Sequence, residues 1–156
     1  MKKKIIFALI IFVGALFLTG CTLKAKTGDE FAALAEKYGM TVKDYTSSYS
    51  YLKYVTEVRI ATHPDGWKVE YYALSDQTNT DKIYDTNKNK FISEVEKSST
   101  SKYESTLTTD NGERYSVQGS DGYYMHVCKI DNTFVYAKIS AKNKDEAVKF
   151  LKELGY

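Results

Sequence analysis

The stretch Asp85-Thr86-Asn87-Lys88-Asn89-Lys90-Phe91-Ile92-Ser93-Glu94-Val95-Glu96 places oxygen-bearing residues at the spacing of a calcium-binding loop. Its ligands would be Asp85, Asn87, Asn89, the Phe91 carbonyl and a bidentate Glu96. The sixth position spoils the pattern: the sharp turn needs glycine there, and this chain has Lys90, which with Lys88 sets two positive charges beside a prospective cation. The expectation is therefore the end of an amphipathic helix and a solvated loop, with no resident metal or cofactor. A Ca²⁺-binding domain is kept only as an alternative.

Catalytic candidates are few. His63 and His126 are the only side chains whose ordinary titration range suits a base at neutral pH. His63 stands in the turn His63-Pro64-Asp65-Gly66, and His126 lies in the apolar run Met125-His126-Val127-Cys128-Lys129-Ile130. In that run Cys128 is expected to behave as a small buried hydrophobe. No nucleophile elbow, zinc-ligand pair or glycine-rich phosphate loop accompanies the many serines and aspartates. The reading is a non-enzyme, with a small envelope enzyme as the alternative.

Tyrosine is the unusual component, with 14 in the chain. Its ring offers a large rigid surface with a polar tip, which suits recognition as well as ordinary strands. Alternation along a strand puts Tyr71 and Tyr72, and likewise Tyr123 and Tyr124, on opposite faces. Half of these rings must cover a core. Tyr49, Tyr51, Tyr72 and Tyr124 are the candidate surface for a peptide, glycan or protein partner.

The elements that position these residues are marked by local signals. Thr27 and Glu30 have capping-box spacing, followed by Phe31, Leu34, Ala35 and Tyr38 on one helical stripe, with Gly39 as the stop. Tyr54, Thr56, Val58 and Ile60, then Trp67, Val69, Tyr71 and Ala73, predict a hairpin about the Pro-Asp-Gly turn. A helix is predicted from Asp76 to about Lys97, then a Ser/Thr-rich joint over Ser98 to Ser101. Asn111-Gly112, Asp121-Gly122 and Asp131-Asn132 are hairpin turn signals. The last helix opens at Asn143, with Glu146 three residues on, and carries Ala147, Phe150, Leu151 and Leu154. The predicted fold is α+β: an antiparallel sheet of about six strands in hairpins, with N-terminal, middle and C-terminal helices.

The N terminus sets the address. Lys2, Lys3 and Lys4 precede an uncharged run of 14 residues from Ile5 to Leu18, shorter than the roughly 20 that a membrane-spanning helix needs. That order is a secretory signal. Leu18-Thr19-Gly20-Cys21 resembles the lipobox of bacterial lipoproteins, which implies residues 1–20 as a cleaved signal peptide and Cys21 as a diacylated first residue. Residues 21–28 would be the lipidated cysteine and a polar tether, and 29–156 a single domain. Residues 1–20 hold 3 of the 22 basic residues and none of the 20 acidic ones, so the remainder is close to neutral. That balance offers no basic patch for nucleic acid. With Cys21 acylated, Cys128 has no intramolecular disulfide partner.

The chain beyond Cys21 resembles a group of small Gram-positive lipoproteins with no assigned activity. The likeness rests on Asp29-Glu30-Phe31, Tyr84-Asp85-Thr86-Asn87-Lys88, Lys129-Ile130-Asp131-Asn132-Thr133 and Leu151-Lys152-Glu153-Leu154-Gly155-Tyr156. It implies an envelope address, one α+β domain and a helix over the calcium-loop candidate, and it assigns no catalytic residue. The expected function is a non-enzymatic binding module on the outer face of the cell membrane, held by lipid on Cys21, with an envelope protein, peptide or glycan as partner. Two acyl chains hold a protein where one holds only marginally. Cys21→Ala is therefore expected to abolish incorporation of radiolabelled palmitate and to release the domain from washed membranes; unchanged labelling would refute the anchor.

Overall fold

The computed structural model describes residues 22–98, 103–119 and 122–156. Cys21, the signal peptide, Asp121 and residues 99–101 of the Ser/Thr-rich joint lie outside the described residues.

Helix α1, Gly28–Lys37, starts where the sequence requires. The Glu30 amide donates to Thr27 Oγ1 at 3.2 Å, and the Thr27 amide donates to Glu30 Oε2 at 2.9 Å. These reciprocal bonds satisfy amides that a helix start leaves orphaned. After α1, Gly39 takes the left-handed φ of 70° and turns the chain into β1, Thr41–Asp44. A 3-10 turn, Thr46–Tyr49, leads toward β2, Val55–Thr62, and β3, Lys68–Leu74. Helix α2, Gln77–Ser98, is followed by β4 (Tyr103–Thr108), β5 (Gly112–Gln118), β6 (Tyr123–Ile130) and β7 (Thr133–Ser140). Helix α3, Lys144–Leu154, closes the domain.

The strands form one antiparallel sheet in the order β1-β2-β3-β7-β6-β5-β4. The α+β reading with an antiparallel sheet and three helices stands, with seven strands in place of about six. The added strand is β1, whose four residues are exposed except for half-buried Val42, so no alternation announced it. Asn143 differs from expectation as well. It makes no side-chain cap, and a 3-10 turn over Ala141–Asn143 feeds α3 instead.

Both faces of the sheet are covered, so two cores form. On one face, Phe31 and Ala35 of α1 and Ala147, Phe150 and Leu151 of α3 pack on Val69, Tyr71, Val135 and Ala137. On the other, Tyr84, Phe91 and Val95 of α2 pack on Tyr115, Val117, Met125, Val127 and Phe134. Each such large side chain contributes roughly 1.5–3 kcal/mol on leaving water, so the helices on both faces are integral to the fold.

The segment expected as a short polar tether is docked on the domain. Leu23 and Ala25 pack against the first core. The Leu23 amide donates to Asn111 Oδ1 at 3.0 Å, and Asn111 Nδ2 returns a bond to the Leu23 carbonyl at 2.8 Å. The Tyr71 hydroxyl donates to the Lys26 carbonyl at 2.7 Å, while the Lys26 amide donates to the Tyr156 hydroxyl at 3.1 Å. Asn111 thus acts as a clip between the turn after β4 and the start of the domain. Asn111→Ala is expected to lower unfolding free energy by about 1–3 kcal/mol, because Leu23 loses both main-chain partners. Hydrogen exchange would report this as lost protection at the Leu23 amide; retained protection would contradict the clip.

Candidate functional site

The four candidate tyrosines do not form one patch. Alternation sends Tyr72 to the α2 side and Tyr124 to the α1/α3 side, where Tyr124 is 6 % exposed. Tyr124 is therefore corrected from a surface residue to a buried one. Tyr51 is 72 % exposed and stands apart.

Tyr49 and Tyr72 do meet. Their rings are edge to face with centroids 5.8 Å apart, and Tyr72 lies 5.9 Å from Phe134 at a tilt of 44°. With Tyr54 and Tyr136 they line a groove of about 380 Å³ between the chain leading into β2, strands β3 and β7, and helix α2. Ligand sites span roughly 300–1,000 Å³ and combine apolar walls with a few polar groups. Here the polar groups are Glu70, Asn87 and Lys90. Glu70 is already engaged: Lys68 Nζ stands 2.7 Å from its Oε1, and the Tyr72 hydroxyl donates to Oε2 at 2.6 Å. Burial, and then the Glu70 carboxylate, push the Tyr72 phenol well above its ordinary value, so Tyr72 stays a neutral donor. Asn87 Nδ2 donates to the Ile83 carbonyl at 2.8 Å, and its carbonyl oxygen has no partner among the described residues. The groove contains rings from chain segments far apart in sequence, which is why only Tyr49 and Tyr72 of its five rings were singled out beforehand.

The calcium-loop candidate is overturned by α2, which runs unbroken through it. Asp85 and Glu96 are eleven residues apart, about 16 Å along a helix axis at 1.5 Å per residue. Asn87, Asn89 and the two ends cannot converge on one ion. Lys88, which spoiled the loop, instead pairs with Glu113 at 2.6 Å.

His63 meets two carboxylates, Asp65 Oδ2 at its Nδ1 and Glu146 Oε1 at its Nε2, each at 3.6 Å. These distances exceed hydrogen-bond reach. Nδ1 accepts from the Asp65 amide at 3.2 Å, and the ring stacks on Trp67 at 4.9 Å. The carboxylates flank opposite ring nitrogens, Asp65 from the turn itself and Glu146 from α3.

His126 is buried, with Nδ1 2.9 Å from the Ser116 hydroxyl and 3.3 Å from that of Tyr124. Burial, and then the nearby charge of Arg114, push its pKa down to about 3. It is a neutral imidazole, unsuited to accept a proton in turnover. Cys128 is fully buried, and burial pushes its thiol up to about 12, so the reactive thiolate is absent at neutral pH.

Scans against protein-family models, curated proteins and solved structures each find no match to this chain. No described helix is long and apolar enough to cross a membrane.

The His126 shift carries a stability consequence. Between its ordinary value of 6.5 and about 3, the unfolded chain holds a proton on this ring that the folded chain lacks. Its contribution is complete above that window and is lost as pH falls through it, by up to about 1.4 kcal/mol per pH unit. Urea unfolding from neutral pH down to about 4 should reveal this slope. His126→Gln should flatten it, and an unchanged slope would mean that another group governs acid sensitivity.

Proposed function

We propose that this chain is a lipid-anchored, extracytoplasmic binding module, held by diacylated Cys21, whose aromatic groove takes a glycan segment of the cell envelope. The observation that carries this reading is the convergence of Tyr49, Tyr54, Tyr72, Phe134 and Tyr136 on one groove. Ring faces suit the C–H faces of a sugar, while phenolic tips, Asn87 and Lys90 offer hydrogen bonds to its hydroxyls. An extended peptide would instead gain most from an unpaired strand edge. The edges of this sheet are β1 and β4, whereas the groove sits over β3 and β7 inside it.

The docked start of the domain supports the same picture. Only Thr22 separates Cys21 from the clipped Leu23, so an acylated Cys21 would hold the Asn111 turn close to the bilayer. The lipoprotein resemblance agrees with this address. Enzymatic activity finds no support in His126 or His63, one neutral and buried, the other bonded within its turn.

The test is retention of soluble fragments from muramidase-digested envelope on the full chain in detergent micelles. Retention should fall about tenfold for Tyr49→Ala and for Asn87→Ala, each removing one wall or one polar contact. Tyr51→Ala, exposed and outside the groove, should bind as the parent does. Loss on Tyr51→Ala alone, or capture of peptide rather than glycan, would overturn the proposal.

A further inference from the structure

A second cleft lies on the opposite face, where α3 ends its cover and β4, β5 and β6 run on beyond it. It measures about 270 Å³. Its lining contains Arg114, Lys144 and Lys152 and no carboxylate side chain. Lys144, Val148 and Lys152 share a stripe at i, i+4, i+8, whereas Asp145, Glu146 and Glu153 line a different hollow with Tyr38. The three carboxylates of α3 thus stay off the cleft, while Lys149 lies with them on the other side.

None of the three cations pairs with a carboxylate side chain among the described residues. Lys144 Nζ donates to the neutral Gln118 Oε1 at 2.6 Å and lies over the rings of Tyr103 and Tyr124, at 5.4 and 5.7 Å. Arg114 Nη1 donates to the Tyr156 main-chain oxygen at 3.2 Å, which leaves most of its fork unused. Arg114 and Lys144 are half-buried and Lys152 is exposed, so an anion entering the cleft would meet positive charge that no carboxylate side chain of the lining offsets.

A second, independent observation points the same way. Across the sheet, Val42, Ala61, Val69, Ala137, His126, Ser116 and Ser105 occupy one register row. The row is apolar under the helices and turns polar where the cleft begins. His126 lines the cleft, and its Nε2 is buried with no hydrogen-bond partner. Nδ1 is engaged by the Ser116 and Tyr124 hydroxyls, so Nε2 is the ring atom left without a partner. A buried polar atom without a partner is costly, and at His126 it borders the cleft.

We infer that this cleft is a phosphate-group site, with Arg114, Lys144 and Lys152 supplying charge and Ser116, Tyr124 and His126 supplying neutral polar groups. A phosphate matches better than a carboxylate, because it carries up to two charges and acceptor oxygens in several directions. A carboxylate offers one charge and two oxygens in a plane, which would leave part of this donor set unused.

The test uses the full chain in nonionic micelles, titrated with inorganic phosphate while the His126 ring and Arg114 side-chain nitrogen signals are followed by NMR. A saturable shift is expected, and sodium chloride at equal ionic strength should not reproduce it. Lys144→Gln with Lys152→Gln should weaken binding about tenfold or more, since charge-assisted bonds are lost. Lys149→Gln, on the other side of α3, should leave it unchanged. Because Lys152 is exposed and Lys144 half-buried, the double variant keeps the test independent of folding. Absence of a saturable shift, reproduction by chloride, or full retention in the double variant would overturn the site. Competition by phosphatidylglycerol doped into the micelles would assign a lipid headgroup, and competition by glycerol phosphate alone a soluble or polymeric phosphate; both support it.

Discussion

Strand alternation is the constraint on which this structure depends. Because successive side chains point to opposite faces, a sheet covered on both sides must supply two apolar sets from the same strands. In β6, Met125 and Val127 serve the α2 core while Tyr124, Cys128 and Ile130 serve the other. The same parity separates the two candidate surfaces. Tyr72, Phe134 and Tyr136 go to the aromatic groove, and Arg114, Ser116, Tyr124 and His126 go to the cationic cleft. A one-residue slip in β6 would exchange its two sets of side chains between the faces.

Local signals were legible because their physics is local. The Thr27–Glu30 capping box involves residues three apart, and the Ala147, Phe150, Leu151 and Leu154 stripe needs only helical periodicity. Asp131-Asn132 turned the chain between β6 and β7 as read, with Asp131 in the left-handed region at φ 49°. Strand β1 was missed because a short exposed edge strand leaves no hydrophobic alternation to read. The calcium-loop spacing was rightly set aside: Lys90 where the turn needs glycine was the physical cue, and the segment is helix, with α2 running on where a solvated loop was expected. Asn143 resembled a cap by type, yet the 3-10 turn before α3 satisfies the chain differently.

The sites were less legible because they are made of long-range neighbours. Tyr49 and Tyr72 stand in different elements, and only the fold puts one ring against the edge of the other. Arg114 and Lys144 come from β5 and α3, and nothing in their separate surroundings announces a shared cleft. The i, i+4, i+8 spacing of Lys144, Val148 and Lys152 was a signal available in the sequence, but two lysines on a helix read as an ordinary solvated face. The docked N-terminal segment was equally hidden. Leu23 and Ala25 look too sparse to pack until Asn111, 88 residues from Leu23, supplies both main-chain partners.

The central claim is that face sorting makes the groove, and not the tyrosines at large, the recognition surface. Ring-resolved NMR of the tyrosine-labelled full chain, titrated with a soluble disaccharide fragment of envelope glycan, tests it most directly. The account predicts that Tyr49, Tyr54, Tyr72 and Tyr136 shift together while Tyr51, Tyr103 and Tyr124 stay in place. Joint movement of Tyr72 and Tyr124, or movement confined to Tyr51, would contradict it.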